Sequence, residues 1–223
     1  MSGVEELYPF LYERGDPGGT PGRLATVLAE VARSTRDKIV EIERVRGELL
    51  AAQGERIGMC AEEMARRFAA GGRLFSFGNG GSSTDAEAVA HQFLSPADGG
   101  RRLPARALTQ DVATLTALAN DVSFDVVFAR PLAAACRPTD IAVGLSTSGG
   151  SRNVLRAFTE AHRIGMLTVG FAGYSGGAMA EAADAGEIDY LFVMPSDSVH
   201  RIQEAQTTTY HVLWELVQLA LAQ

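Results

Sequence analysis

Leu74–Ala86 reads LFSFGNGGSSTDA, and this stretch decides the fold. Leu74 to Phe77 form a short run without a breaker, suited to one buried strand. Gly78, Asn79, Gly80 and Gly81 then form a turn, and Ser82 and Ser83 lead into the helix formers Ala86, Glu87 and Ala88. Strand, glycine-rich turn and helix in succession belong to an α/β sheet. Glycines let a ligand approach the backbone, and a helix start offers unpaired N–H donors with a partial positive charge. The spacing matches neither the Walker phosphate loop, which needs a lysine before Ser/Thr, nor the GxGxxG dinucleotide fingerprint. Taken alone, the loop reads equally as a ligand site or as a tight turn.

The same texture continues downstream. Short apolar runs at Ala105–Leu108, Ile141–Leu145, Leu167–Phe171 and Tyr190–Met194 alternate with helix-length segments near residues 83–93, 112–119, 124–135, 151–164 and 177–183, and a long helix over about 200–221 follows. This alternation predicts an α/β fold with a five-stranded parallel sheet and helices on both faces, because crossovers are needed to bring successive strands parallel. Upstream, Leu24, Val27, Leu28, Val31, Ile39, Ile42 and Val45 recur at helical spacing, which predicts two or more amphipathic helices up to Ala70, closed by Gly71 and Gly72. Pro9, Pro17 and Pro21 with several glycines predict a loosely packed arm over residues 1–22, leaving residues 23–223 as a single domain that includes the helical segment.

Leu145 runs into a second loop, Ser146, Thr147, Ser148, Gly149, Gly150 and Ser151, ahead of the helix carrying Val154, Leu155 and Phe158. Four hydroxyls at a helix start can surround a phosphate dianion without a lysine, although a serine there also caps helices. Two such loops at the carboxyl ends of strands in one open sheet favour a shared ligand crevice. The formal net charge of −7 argues against a broad footprint for nucleic acid or anionic lipid. The cluster Arg101, Arg102 and Arg106 reads as a solvated loop. Two cysteines, Cys60 and Cys136, without metal-type spacing, no signal-like start and no long apolar run predict a soluble, cytoplasmic protein.

FGNGGSSTDA at Phe77–Ala86, ANDVSFD at Ala119–Asp125, GLSTSGGSRNV at Gly144–Val154, and RIQE at Arg201–Glu204 with His211 beyond, resemble in order and spacing the motifs of bacterial phosphoheptose isomerases, a family of SIS (sugar isomerase) domains. The resemblance covers roughly residues 24–220. It implies a flavodoxin-like five-stranded sheet, a homo-oligomer (tetramer or dimer), and interconversion of sedoheptulose 7-phosphate with an aldoheptose 7-phosphate through an enediol. It also implies that Asn79, Gly80, Gly81, Ser82, Asn120 and Asp121 contact the sugar, that Ser146, Thr147, Ser148 and Ser151 hold its phosphate, and that Gln203 touches substrate. His211 would be the general acid and base. In zinc-binding members, the positions of Gln203 and His211 also ligate the metal.

The sequence departs from that pattern in three places. Gln92 stands where the family has a catalytic glutamate, Ala88 where it has a zinc-binding histidine, and His200 where it has an aspartate before RIQE. Glutamine cannot take and return a proton near neutral pH. Zinc, a conceivable cofactor, loses two of its four usual ligands. Either His91, beside Gln92, or His200 could supply the base, since imidazole titrates near neutrality; alternatively His91, about 100° around the helix from Gln92, points elsewhere. A metal site of three histidines is a more distant variant. The rival to the isomerase reading is a non-catalytic phosphosugar-binding protein that acts as a regulator or assembly factor, which the loss of the glutamate would suit. A deaminating synthase would need additional domains.

Overall fold

The computed structural model describes residues 21–96 and 99–222, with side chains from residue 25 onward. Of the expected arm, residues 1–20 lie outside the described residues. Pro21 and Gly22 belong instead to the helix α1, Pro21–Ala69. The fixed φ of proline suits a first helical position, so Pro21 starts this helix. Where two or more helices were expected, α1 is one continuous helix of 49 residues. No proline interrupts it, and isolated glycines such as Gly47, Gly54 and Gly58 cost only about 1 kcal/mol each without breaking it.

The chain divides into two compact units, one ending at Glu41 and the other running from Ile42 to Gln223, so the boundary falls within α1. The second unit carries the sheet. After α1 come β1 Leu74–Gly78, α2 Gly81–Leu94, β2 Ala105–Ala107, α3 Val112–Asp121, α4 Ala129–Ala135, β3 Ile141–Ser146, α5 Arg152–Ile164, β4 Leu167–Gly173, α6 Gly177–Asp184, β5 Tyr190–Met194 and α7 Val199–Leu221. Two short 3-10 turns, Leu108–Gln110 and Phe124–Val126, replace the end of the second expected strand and the start of the expected 124–135 helix. All pairings are parallel, in the order β2-β1-β3-β4-β5.

The strands read as unbroken apolar runs because both faces are covered; every residue of β1, β3 and β4 is buried. On one face, Val45, Ile57, Met64 and Phe68 of α1, Val89 and Phe93 of α2, and Ile202, Leu213 and Val217 of α7 pack together. On the other face, Phe128, Leu132, Val154, Phe158 and Met179 close over Phe77, whose ring lies edge-on to Phe158 at 5.4 Å.

Candidate functional site

β1 and β3 are neighbours, with Gly78 paired to Leu145, and the strand order reverses between them. At such a point the chain leaves one strand toward one face and its neighbour toward the other, opening a crevice at the carboxyl edge. Both candidate loops emerge there. The first leads to α2 and the second to α5, whose buried residues belong to opposite cores.

Within the second loop, Ser146 is almost wholly buried and its hydroxyl lies 3.0 Å from that of Ser151. Gly149 N–H donates to the Ser146 carbonyl, and Gly150 N–H donates to Ser148 Oγ at 3.3 Å. Thr147 accepts at its carbonyl from Gly173 N–H at the end of β4. Gly149 has φ +66°, and a Cβ there would lie 1.9 Å from the Gly176 carbonyl oxygen, so only glycine fits this bend. Ser151 precedes α5 but makes no side-chain capping bond. Its hydroxyl is therefore turned to Ser146 and the loop, which removes the capping alternative for this serine.

The two loops are tied by a pair the sequence reading missed. Asn79 Nδ2 donates to Asn153 Oδ1 and Asn153 Nδ2 donates back to Asn79 Oδ1, both at 2.8 Å. Asn153 is 3% exposed and also accepts from the Val154 N–H. Asn153 stood in the SRNV motif, but nothing local named a partner 74 residues away.

The first loop also meets α7. A Cβ on Gly81 would come within 2.6 Å of Gln203 Nε2. That amide donates to Asp85 Oδ2 at 3.0 Å. Burial pushes the Asp85 carboxyl up, a rise the Gln203 bond only partly opposes. The start of α2 thus meets the start of α7, while the Gly100–Arg101 segment beyond α2 meets Trp214 and Gln218 further along α7. The two helices therefore run in the same direction. Seven residues on from Asp85 and Gln203, about 10 Å along each axis, Gln92 comes level with Tyr210, next to His211. His211 Nδ1 lies 2.8 Å from the Thr207 carbonyl, and its ring stacks on Tyr210 at 5.0 Å. A carbonyl can only accept, so Nδ1 carries the proton in this contact, and the neutral tautomer that fits it has its lone pair on Nε2.

Other expected site residues are placed differently. Asn120 and Asp121 are exposed at the end of α3, and Asn120 Nδ2 donates to Asp121 Oδ1 at 2.7 Å; no described hydrogen bond links either to the two loops. Ser82 is buried and Gly80 is exposed with φ +56°. His91 and His200 are exposed. His200 and His211 lie on the same helix eleven residues apart, about 16 Å along its axis, so they cannot share one proton or one metal ion. The three-histidine metal site is thereby ruled out.

A zinc ion also lacks its donors here. Among the described residues no group of three or more His, Cys, Asp and Glu side chains could hold a metal. Ala88 offers no donor atom and Gln92 only an amide, so of the four family positions only the Gln203 Oε1 and His211 Nε2 atoms remain as donors. Zinc prefers imidazole, thiolate and carboxylate, and this set does not fit it.

An open groove of about 730 Å³ lies between α1 and the amino ends of β4 and β5, at the edge of the sheet opposite to the loops. Its Arg56 is spent within the fold, donating to the Asp189 carbonyl and lying over the Tyr190 ring.

A family model described as SIS domain matches residues 39–173. A phosphoheptose isomerase from Aquifex aeolicus (strain VF5) is 44% identical over 149 residues, 66% of this chain and 75% of the relative. Another, from Roseiflexus sp. (strain RS-1), is 41% identical over 191 residues, 84% of this chain and 94% of the relative. The solved structure of a phosphoheptose isomerase from Francisella tularensis matches with a TM-score of 0.78 at 30% identity, covering 85% of this chain and 98% of that one. The crevice at the strand-order reversal, its two serine- and glycine-rich loops and these matches lead to one conclusion: the chain belongs to the phosphoheptose isomerase family of SIS domain proteins.

Proposed function

We propose that the protein is an aldose–ketose isomerase that interconverts sedoheptulose 7-phosphate and an aldoheptose 7-phosphate. The observation that carries this reading is the second loop: the Ser146 and Ser151 hydroxyls face each other, freed from capping, beside the α5 start and tied to the first loop by Asn79–Asn153. Such an array suits a phosphate dianion, and the first loop beside it suits the sugar chain.

In this reading His211 Nε2 takes the proton from C2 of the aldose and returns it to C1, passing through an enediol. Meanwhile O1 gains a proton from solvent water, and the C2 hydroxyl gives one back to solvent. The Thr207 carbonyl orients the ring for that task. Gln92, level with the Tyr210–His211 step, serves as an amide donor to the developing enediolate oxygen, a role that needs no proton exchange. His91 could supply a second proton-transfer group only by turning in from its exposed position.

The test is to follow aldose formation by NMR after adding sedoheptulose 7-phosphate to purified protein, with His211→Ala alongside. Turnover that His211→Ala abolishes supports the assignment. Tight binding without turnover would leave the phosphosugar-binding reading, and turnover surviving in His211→Ala would remove the role given to that histidine.

We further propose that residues 23–223 work as one domain and that the protein is a cytoplasmic homo-oligomer, in keeping with a tetramer. Val27, Leu28, Val31, Ile39 and Val40 of α1 are largely exposed in the single chain, an apolar stripe that a second copy could cover. No described helix is long and apolar enough to cross a membrane. Light scattering that returns only the monomer mass contradicts the oligomer, and early protease cleavage inside α1 contradicts the single domain.

A further inference from the structure

Asp85 is a charge that the fold does not use. Its Oδ2 accepts from Gln203 Nε2 at 3.0 Å, and among the described residues neither oxygen has another hydrogen bond or any ion pair. Burial pushes its carboxyl up and the Gln203 amide partly opposes this, with no ion pair to Asp85 among the described residues. Its own negative charge acts on the phenol of Tyr210, across the α2–α7 seam. A half-buried carboxylate without a cation costs stability, since its lost hydration is only partly replaced. Departures of this kind from local consistency mark positions held for a ligand.

The chemistry of the missing partner follows from the surroundings. A phosphate at Ser146–Ser151 would be repelled by Asp85, so Asp85 does not hold the anionic end. A hydroxyl group, by contrast, is a neutral donor that a free carboxylate oxygen binds strongly. Asp85 lies in the second turn of α2, four residues after Gly81, and its Gln203 partner sits against Gly81. The first loop, assigned to the sugar chain, thus lies next to it.

Resting on the isomerase reading above, we propose that Asp85 is a specificity-determining residue that accepts a hydrogen bond from a hydroxyl of the sugar chain, while Gln203 holds its other oxygen in place. The carboxylate distinguishes a polyhydroxylated phosphate ester from bare phosphate. A site built around a buried hydrogen-bonding group rejects ligands that leave that group unpaired.

The experiment uses the full-length protein at a fixed neutral pH. Asp85→Asn preserves size and can still accept from Gln203 Nε2, and Asp85→Ala removes the group. Binding of sedoheptulose 7-phosphate and, separately, of inorganic phosphate is measured by calorimetry, together with the thermal midpoint of each ligand-free variant. Both variants should weaken the sugar phosphate about tenfold or more, since a bond to a charged group is lost. Inorganic phosphate should bind within about twofold of wild type, and Asp85→Asn should raise the ligand-free midpoint because it removes an uncompensated charge. This opposite movement of stability and sugar affinity is not produced by a residue with a merely structural role. Unchanged affinity for the sugar phosphate in Asp85→Asn overturns the proposal, as does equal weakening of both ligands with a lower midpoint. Wild-type protein that binds neither ligand removes the reading on which the proposal rests, an outcome distinct from either.

Discussion

Asn153 and Asp85 are both polar, yet the fold treats them in opposite ways. Asn153 is buried and engaged at both amide atoms, with Asn79 and the Val154 N–H. Deleting one partner leaves the other buried and unsatisfied, which costs more than the bond itself contributes. Asn153→Ala should therefore destabilise the protein by about 1–3 kcal/mol in urea titrations and raise the KM for substrate, because the two loops lose their tie. A variant with unchanged stability and KM would show that the amide pair does not matter in solution. Asp85 runs the other way. Its carboxyl is pushed up by burial, so relative to the unfolded chain the fold disfavours its charge. The penalty is complete above its folded pKa and fades as pH falls to the ordinary aspartate value, near 3.9. The stability gain of Asp85→Asn over wild type should accordingly be present at neutral pH and shrink toward acid, as read by denaturant midpoints across pH; a gain that grows toward acid would contradict this sign.

Among the elements, the bend after β3 depends most on one residue. Gly149 packs its α-carbon against the loop before α6, and its carbonyl accepts from the Met179 N–H. Alanine there combines a left-handed backbone with a Cβ placed 1.9 Å from the Gly176 carbonyl oxygen. Gly149→Ala should cost about 2–4 kcal/mol and abolish phosphate binding, measured by thermal unfolding and calorimetry, since relief requires the whole loop to shift. Gly150→Ala, whose Cβ would meet only the Ser148 hydroxyl at 3.8 Å, should be tolerated and serves as the control. At the same scale, α7 sets the spacing of its functional groups by its own rise. Gln203 and His211 lie about two turns apart along α7, and His200 falls a further turn away, which is why it cannot replace the missing carboxylate beside His211.

On the scale of the whole molecule, one core buries Cys60 entirely and the other covers Cys136 in part. Cys60 is fully buried, and burial pushes its thiol far up; Cys136 is pushed up to about 12 by the same cause. Iodoacetamide at pH 8 should label neither residue in the folded protein and both in denaturant, read by mass spectrometry. Rapid labelling of Cys60 without denaturant would mean that the α1–sheet packing opens. The strands, most of the helices and both loops were legible in the chain itself, though not the continuity of α1 or the 3-10 turn that opens the 124–135 segment. Apolar runs of strand length and glycine-serine turns are local signals, set by burial on two faces and by backbone freedom, and they lie where the residues are. The family motifs were legible for the same reason, as were the departures at Ala88, Gln92 and His200. The tie between Asn79 and Asn153, the bond between Gln203 and Asp85, and the freedom of Ser151 from capping were decided only when the sheet closed. Each depends on the strand order that brings β1 beside β3 and on the common direction of α2 and α7. Partners 74 and 118 residues apart leave no trace in local spacing, because a hydrogen bond is specified by distance and angle in space and not by position along the chain.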